Sequence, residues 1–276
     1  MNVKKQIFIV YNPQKQNVKD KVNEVIKNIK KDFKEKVIIS SCSSEEVNRK
    51  ICKGDLILTL GGDGTILRVT PYAVENSIPV AGVNLGGLGY LAEFKIGEVP
   101  FIVRKFLEEK IEYQKRIVLE VLYKKRIHYA INDCVVKPLS SKVCKLELYI
   151  NNEKITEIIG DGIIVSTPTG STAYSLASGG SIVEPDADVI LITPISPHTL
   201  SIRPIVLSSK KEIKIKIPLY KSNKNLLLSL DGQRNFIVKP EEEIKIISSK
   251  KKLMFIQNPS KSFFKILTQK LLWGKR

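Results

Sequence analysis

The sequence predicts an α/β protein with a second, β-rich domain, and the main evidence is a change of rhythm in the hydrophobic pattern. In about the first 105 residues, short apolar runs alternate with segments of helical spacing and short glycine-containing links. That pattern is typical of a parallel sheet covered by helices on both faces. From about residue 112, short alternating apolar and polar runs follow one another, which predicts antiparallel β structure. Residues 262–273 return to helical spacing, so we expect this last helix to pack back on the first domain.

The chain has 276 residues, a length that predicts about two domains. We expect an α/β domain at 1–105, joined by 256–276, and a β-rich domain at 106–255. The predicted strands of the first domain are 6–11, 37–39, 55–60 and 78–83, and its helices are 18–33, 43–52 and 65–74. The predicted strands of the second are 117–123, 126–136, 145–150, 155–159, 188–193, 205–207, 212–217, 225–230 and 243–247. One helix beginning near Ser171 interrupts them, and Asn151 with Asn152 predicts a hairpin turn.

Composition excludes several classes of protein. A mean hydropathy of −0.05 and the absence of any apolar run near ~18 residues predict a soluble chain rather than a membrane protein. Four cysteines lack metal-site spacing and no secretory signal is visible, so we expect a cytoplasmic protein with reduced thiols. The net charge of +17 lies in residues 1–53 and 210–276, mostly at positions expected to be solvated. Nucleic-acid binding is therefore disfavoured.

The first motif that could carry chemistry is Gly-Gly-Asp-Gly-Thr at 61–65, directly after a buried strand and before a helix. Glycines let the backbone approach a ligand closely, and a helix N-terminus favours phosphate. A carboxylate at Asp63, beside bound phosphates, suggests phosphoryl transfer rather than passive binding. The alternative is a tight turn in which Asp63 only caps the helix.

The second motif is a strand that runs into a hydroxyl-rich turn at 160–175. Its Ser and Thr residues outnumber what helix capping requires, namely Ser166, Thr167, Thr169, Ser171, Thr172 and Ser175. The pattern favours a polar cradle for sugar hydroxyls and phosphate, with Tyr174 available to stack; an ordinary surface loop is the alternative. The third motif, Asn132-Asp133, could hold a ribose diol and a base edge, or could simply belong to a turn.

Together the three motifs resemble the NAD kinase family. The resemblance rests on GGDGT at 61–65, Asn132-Asp133, GDG at 160–162 with TPTGSTAYS at 167–175, and the later segments 197–204, 231–233 and 271–274. It spans essentially the whole chain, and it implies a Rossmann-like N-terminal domain and an antiparallel β-sandwich C-terminal domain, with the C-terminal helix returning to the first domain. Members of this family phosphorylate the 2′-hydroxyl of the adenosine ribose of NAD, using ATP or, in some members, polyphosphate.

The resemblance implies a role for each matching residue. Asp63 takes the 2′-hydroxyl proton, Gly64 admits the dinucleotide, and Arg68 reaches phosphate. Asn132 and Asp133 hold the adenosine portion, and Asp161 meets the nicotinamide end from a neighbouring subunit. The other residues implied in nucleotide binding are Lys142, Thr172, Ala173, Tyr174, Ser175, Ala177 and Gln233. A divalent metal, expected to be Mg²⁺, and a homodimer or homotetramer are implied as well.

Two rival functions share parts of this pattern. A lipid kinase carries GGDGT but lacks TPTGSTAYS and would need apolar acyl-chain grooves. A dinucleotide-sensing or nucleic-acid-binding protein on a kinase fold would not need the intact Asp63.

Overall fold

The computed structural model describes residues 4–47, 53–86, 89–140 and 142–272, which form two compact units. One, which we call the α/β unit, comprises 1–115 and 253–276; the other, the β unit, comprises 116–252. The domain limits predicted from the sequence were 105/106 and 255/256. A parallel sheet in the first unit and antiparallel sheets in the second confirm the predicted fold class.

The α/β unit is built on a six-stranded sheet with helices against it. Its strands are β1 (Lys5–Tyr11), β2 (Val37–Ser43), β3 (Leu56–Gly61), β4 (Val80–Asn84), β5 (Tyr113–Arg116) and β18 (Leu253–Ile256). Its helices are α1 (Val18–Phe33), α2 (Asp63–Asn76), α3 (Val99–Leu107) and α5 (Phe263–Leu271). The strand order is β2-β1-β3-β4-β18-β5, and the pairs from β2 to β18 are parallel.

The sequence explains why β3 lies in the middle of this sheet. All six of its residues are buried, which suits an uninterrupted apolar run covered on both faces. From β1 the chain crosses to β2 on one side and then to β3 on the other, so the strand order reverses between β1 and β3. In open α/β sheets, ligands bind at the carboxyl ends of strands at such a switch point.

The β unit contains two antiparallel six-stranded sheets with a shared apolar core. Its strands are β6 (Leu119–Tyr123), β7 (Arg126–Ala130), β8 (Asp133–Pro138), β9 (Cys144–Ile150), β10 (Glu153–Gly160), β11 (Gly162–Ser166), β12 (Val189–Ile195), β13 (Ile205–Ser208), β14 (Ile213–Lys216), β15 (Leu226–Leu230), β16 (Arg234–Val238) and β17 (Glu243–Ser248). The sheet orders are β10-β9-β14-β17-β6-β7 and β13-β12-β11-β8-β15-β16. In β14, Ile213 and Ile215 are buried whereas Lys214 and Lys216 are only partly buried, so part of the lysine surplus follows the strand period.

Helix α3 and strands β5, β16 and β18 were not predicted from the sequence, and three predicted elements differ in the structure. The helix expected from Ser171 is a 3₁₀ turn, Thr169–Thr172, followed by the single helical turn α4, Tyr174–Ala177. The strand expected at 126–136 is two strands separated by a turn, so Asn132 precedes β8 instead of ending a strand. Residues 44–46 of the helix expected at 43–52 form a turn, and 48–52 lie outside the described residues. No helix within the described part of the chain is long and apolar enough to cross a membrane.

Candidate functional site

Asp63 lies at the switch point of the α/β unit. β3 ends at Gly61, and Asp63 is the first residue of α2. A hydrogen bond links the carboxyl ends of β1 and β3: Asn12, directly after β1, donates its backbone N–H to the Leu60 carbonyl of β3 at 2.9 Å. The topology therefore places the carboxylate where this type of sheet binds ligands.

A backbone loop holds the Asp63 carboxylate in one orientation. Oδ2 accepts the Tyr90 N–H at 2.8 Å, and Oδ1 accepts those of Leu91 at 3.0 Å and Ala92 at 2.9 Å. Gly89 borders the same oxygen, since a Cβ at this position would lie 2.3 Å from Oδ1. The carboxylate is thus fixed by three donors, a precision that a helix cap does not need.

The C-terminal helix reaches this loop within the α/β unit. The Lys270 ammonium of α5 lies 4.1 Å from the centroid of the Tyr90 ring, which is cation–π contact distance. α5 therefore packs against the segment that orients Asp63. Trp273 and Gly274, which belong to the family resemblance, lie outside the described residues.

The other predicted residues of this unit face outward. Gly64 is exposed, and a Cβ there would meet no atom within 4 Å. Arg68 is exposed one turn further along α2 and already interacts with a neighbour in the protein. Thr65, by contrast, is buried, and its hydroxyl has no hydrogen-bond partner among the described residues.

A cavity of about 290 Å³ in the β unit brings together residues from the other two motifs. Its lining residues are Asn132, Asp133, Val135, Lys137, Ala173, Tyr174, Ser229, Asp231 and Gly232. Amide, carboxylate, ammonium and aromatic groups thus converge on one concave surface, the usual composition of a site for a polar small molecule.

Two buried carboxyl groups dominate the electrostatics of this cavity. Burial, and then the neighbouring Asp231 carboxylate, raise the pKa of Asp133 to about 7. Burial also raises the pKa of Asp231 to about 6, against the opposing effect of the N–H groups that it accepts. Strongly perturbed carboxyl groups that line a cavity are typical of functional sites.

Most Ser and Thr side chains of the hydroxyl-rich turn are buried in the protein. Ser166, Thr167, Thr169, Ser171 and Ser175 are buried, and only Thr172 of the six is partly exposed. The Thr167 hydroxyl donates to the Ile131 carbonyl, and the Thr167 N–H donates to that of Asn132 at 3.0 Å. The turn therefore holds the backbone beside Asn132, a role that the sequence prediction did not include.

A second cavity in the β unit, of about 630 Å³, shares Tyr174 with the first. Predicted residues Asp161 and Ala177 line it, together with Ser178, Arg203 and others. Tyr174 is 38% exposed, so its ring is accessible where the two cavities meet it.

Four of the predicted residues in the β unit line neither cavity. Lys142 and Gln233 are exposed at other positions, and Thr172 is partly buried. Ser175 is fully buried, and its hydroxyl is 2.8 Å from that of Thr193. The structure therefore gives Ser175 an internal hydrogen bond where direct contact with a nucleotide was expected.

Sequence reasoning missed Asp231 and the loop at 90–92. Asp231 was available as part of the Asp-Gly-Gln segment at 231–233, but only Gln233 of that segment was assigned a role. The loop acts through its backbone N–H groups, so no side-chain pattern could have revealed it.

Comparisons with known proteins match both units. The family model for the ATP-NAD kinase N-terminal domain matches residues 7–111, and that for the C-terminal domain matches 131–258. An NAD kinase from Aquifex aeolicus is 40% identical over 226 residues, covering 80% of this chain and 82% of its own. One from Clostridium botulinum (strain Kyoto) is 36% identical over 265 residues, covering 94% and 92%.

Two solved structures share the fold of this chain. Yeast NADH kinase, complexed with NADH, superposes with a TM-score of 0.83 at 26% identity, over 100% of this chain and 90% of the yeast chain. An Archaeoglobus fulgidus NAD kinase superposes with a TM-score of 0.77 at 23% identity, over 97% and 98%. With both domain models matched and relatives of 36–40% identity spanning at least four-fifths of its length, the chain belongs to the NAD kinase family.

Proposed function

We propose that the protein transfers the γ-phosphoryl group of ATP to the 2′-hydroxyl of the adenosine ribose of NAD, giving NADP and ADP. The observation that carries the proposal is the Asp63 carboxylate, held by three backbone N–H groups at the switch point of the sheet. The family models name ATP and NAD, and the similarity to a yeast kinase complexed with NADH supports a dinucleotide acceptor.

In this reaction Asp63 acts as the general base. The ribose oxygen forms a bond to the γ-phosphorus as the bond from that phosphorus to the ADP oxygen breaks, and the hydroxyl proton passes to Asp63. The loop leaves one lone pair of the carboxylate unused, on Oδ2. A positioned base of this kind contributes ~10²–10⁴-fold to the rate. Arg68 would meet phosphate, and Gly64 leaves room for the dinucleotide.

The β unit supplies the dinucleotide-binding groups. Asn132 and Asp133 would hold the adenosine portion, with Ala173 and Tyr174 against the base and ribose, all of them in the cavity of about 290 Å³. Asp161 would meet the nicotinamide end at the cavity of about 630 Å³, beside Ala177. Contacts from Lys142, Thr172, Ser175 and Gln233 are implied only by the family resemblance, and their positions in the structure give these four less support.

We propose that a divalent metal, Mg²⁺, arrives with the nucleotide. No cluster of three or more His, Cys, Asp or Glu side chains suited to a metal ion occurs in the described ranges. Mg²⁺ in kinase sites is commonly held by the substrate phosphates together with one or two carboxylates. When bound, the ion supplies neutralisation of the negative charge on the phosphates.

The oligomer and the compartment are parts of the same proposal. Because family resemblance assigns Asp161 to a neighbouring subunit's site, a homodimer or homotetramer is proposed, and light scattering after size-exclusion chromatography tests it. The free thiols of Cys42, Cys134 and Cys144 support a reducing compartment, the cytoplasm.

The proposed function is tested by incubating the purified protein with NAD, Mg²⁺ and either ATP or polyphosphate. NADP is then measured with an NADP-specific dehydrogenase. We expect NADP with ATP, and the polyphosphate arm establishes whether that donor also serves. Folded protein that binds NAD but forms no NADP with either donor would refute the proposal, and lipid and sugar acceptors would then be tested.

A further inference from the structure

Asp231 is a buried carboxylate for which the proposed reaction has no use. It lies in the turn between β15 and β16 with φ of 53°, next to Gly232 at 63°, and only 7% of it is exposed. A non-glycine residue in the left-handed region is uncommon, although Asp tolerates it better than most residues. The turn therefore carries its carboxylate into the interior at some conformational cost.

The Asp231 side chain binds the backbone that carries Asn132 and Asp133. Oδ2 accepts the Ile131 N–H at 3.0 Å, while Oδ1 accepts those of Asn132 at 2.7 Å and Asp133 at 3.1 Å. In return, the Asp231 N–H donates to the Asp133 carbonyl at 3.0 Å. Four hydrogen bonds thus join one turn to three consecutive residues.

The opposite side of this segment is held just as closely. Thr167 binds the carbonyls of Ile131 and Asn132. A Cβ on Gly170 would lie 2.0 Å from the Asn132 carbonyl oxygen, so the two backbones are in direct contact. With both sides fixed, the backbone determines how the side chains of Asn132 and Asp133 enter the cavity.

The charge of Asp231 also acts on Asp133. After burial, it is the cause that raises the pKa of Asp133, to about 7. The other charged or titratable groups around Asp133 are Lys137 on its own strand, Tyr174 of α4, Cys134 and, next to Asp231 on β16, Arg234. Across the sheet, the partners of Asp133 and Cys134 are the uncharged Ser166 and Leu230.

We propose that Asp231 is a positioning residue for the dinucleotide: it fixes the backbone at 131–133 and so directs Asn132 and Asp133 toward the ribose. The proposal rests on the proposed function, because it assumes that this cavity receives the adenosine portion of NAD. Only 7% of Asp231 is exposed, and its carboxylate holds the backbone N–H groups of Asn132 and Asp133, so it acts through those two residues.

The test is Asp231→Asn in the full-length protein, with kcat and the KM for NAD measured from pH 6 to 8.5. The amide keeps the size of the side chain but loses the charge and must point its NH₂ group at one of the three N–H donors. Because the amide cannot accept all three N–H groups, Asn132 and Asp133 lose part of their fixed orientation. We therefore expect the KM for NAD to rise about tenfold or more, with kcat changed less than about threefold. The pH dependence of KM should shift down by about one unit, since Asp133 loses a neighbouring negative charge.

Asn223→Ala is the matched control. Asn223 is 5% exposed in the same unit, and its amide makes three hydrogen bonds to backbone groups of Lys145 and Pro218. It lines neither cavity, so its replacement should lower the melting temperature without changing the KM for NAD or its pH dependence.

Each outcome separates the inference from the function. Wild-type protein that forms no NADP refutes the function itself. Active wild-type protein with an unchanged KM in Asp231→Asn, or an equal rise in Asn223→Ala, overturns the positioning role. If Asp231→Asn does not fold, Asp231→Glu replaces it: a raised KM with an unshifted pH dependence supports the proposal, and a wild-type KM overturns it.

Discussion

Replacing Gly89 with Ala tests the orientation of Asp63 without altering the carboxylate itself. The new methyl carbon would lie 2.3 Å from Asp63 Oδ1 and 3.2 Å from Cγ, where ordinary contact begins at about 3.4 Å. The carboxylate would therefore have to move by about 1 Å, out of line with the N–H groups of Leu91 and Ala92. Misplacement of a reacting group by that distance costs ~10²-fold in rate.

The expected result is a kcat lowered about 10²-fold with the KM for NAD within about threefold of wild type. Overpacking of this kind costs ~1–3 kcal/mol, which should lower the melting temperature by several degrees. NADP formation at saturating NAD and ATP measures kcat, and thermal unfolding measures stability. Gly97→Ala is the control, because a Cβ at Gly97 meets nothing within 4 Å. A Gly89→Ala protein with wild-type kcat would refute the idea that the loop orients the base.

Three further predictions concern the approach to the site and its protonation. In Gly64→Ala the added Cβ would have no protein atom within 4 Å, so only a bound ligand can meet the methyl group. The melting temperature should stay unchanged while the KM for NAD rises at least about fivefold. A KM for NAD equal to that of wild type would show that no ligand approaches Gly64. Asp161→Asn should mainly raise the KM for NAD, and a fall in kcat alone would contradict its binding role. Finally, burial raises the pKa of Asp133 in the folded protein to about 7, above its usual value of 3.8. The native state therefore binds an extra proton, and the free energy of unfolding should decrease as the pH rises from about 4 through 7. The effect is up to about 4 kcal/mol; in Asp133→Asn, unfolding at pH 5 and 8 should differ by less than in wild type, and an equal difference would exclude Asp133 as the cause.

The fold was predictable because its signals are local and periodic. β3 is an unbroken apolar run because all of its residues are buried. α1 has apolar residues at helical spacing because only one of its faces is buried. Asn151 and Asn152 have φ of 49° and 67°, as a two-residue hairpin turn between β9 and β10 requires. By contrast, the short length of α4 was not predictable. Residues Thr169–Thr172 form a 3₁₀ turn instead of the start of a helix, and Gly170 in that turn packs directly against the Asn132 backbone.

The candidate site was only partly predictable, for a physical reason. Side chains that can meet a ligand, such as Asp63 and Asn132, belong to motifs, and their residue types alone indicate the chemistry. The groups that hold them lie far along the chain or act through the backbone: Asp231 is 99 residues from Asn132, and Leu91 is 28 from Asp63. Hydroxyl groups that looked available for a ligand, such as that of Ser175, are used for internal hydrogen bonds instead.

The measurement that tests the account most directly is the kinetics of Asp63→Asn beside equilibrium binding of NAD. The amide is nearly isosteric and can keep the two hydrogen bonds that Oδ1 accepts, but it cannot take the proton. We expect NAD binding within about threefold of wild type and a kcat lowered ~10²–10⁴-fold. A folded variant that binds NAD normally and loses less than about tenfold in kcat would contradict it, because Asp63 would then not be the base.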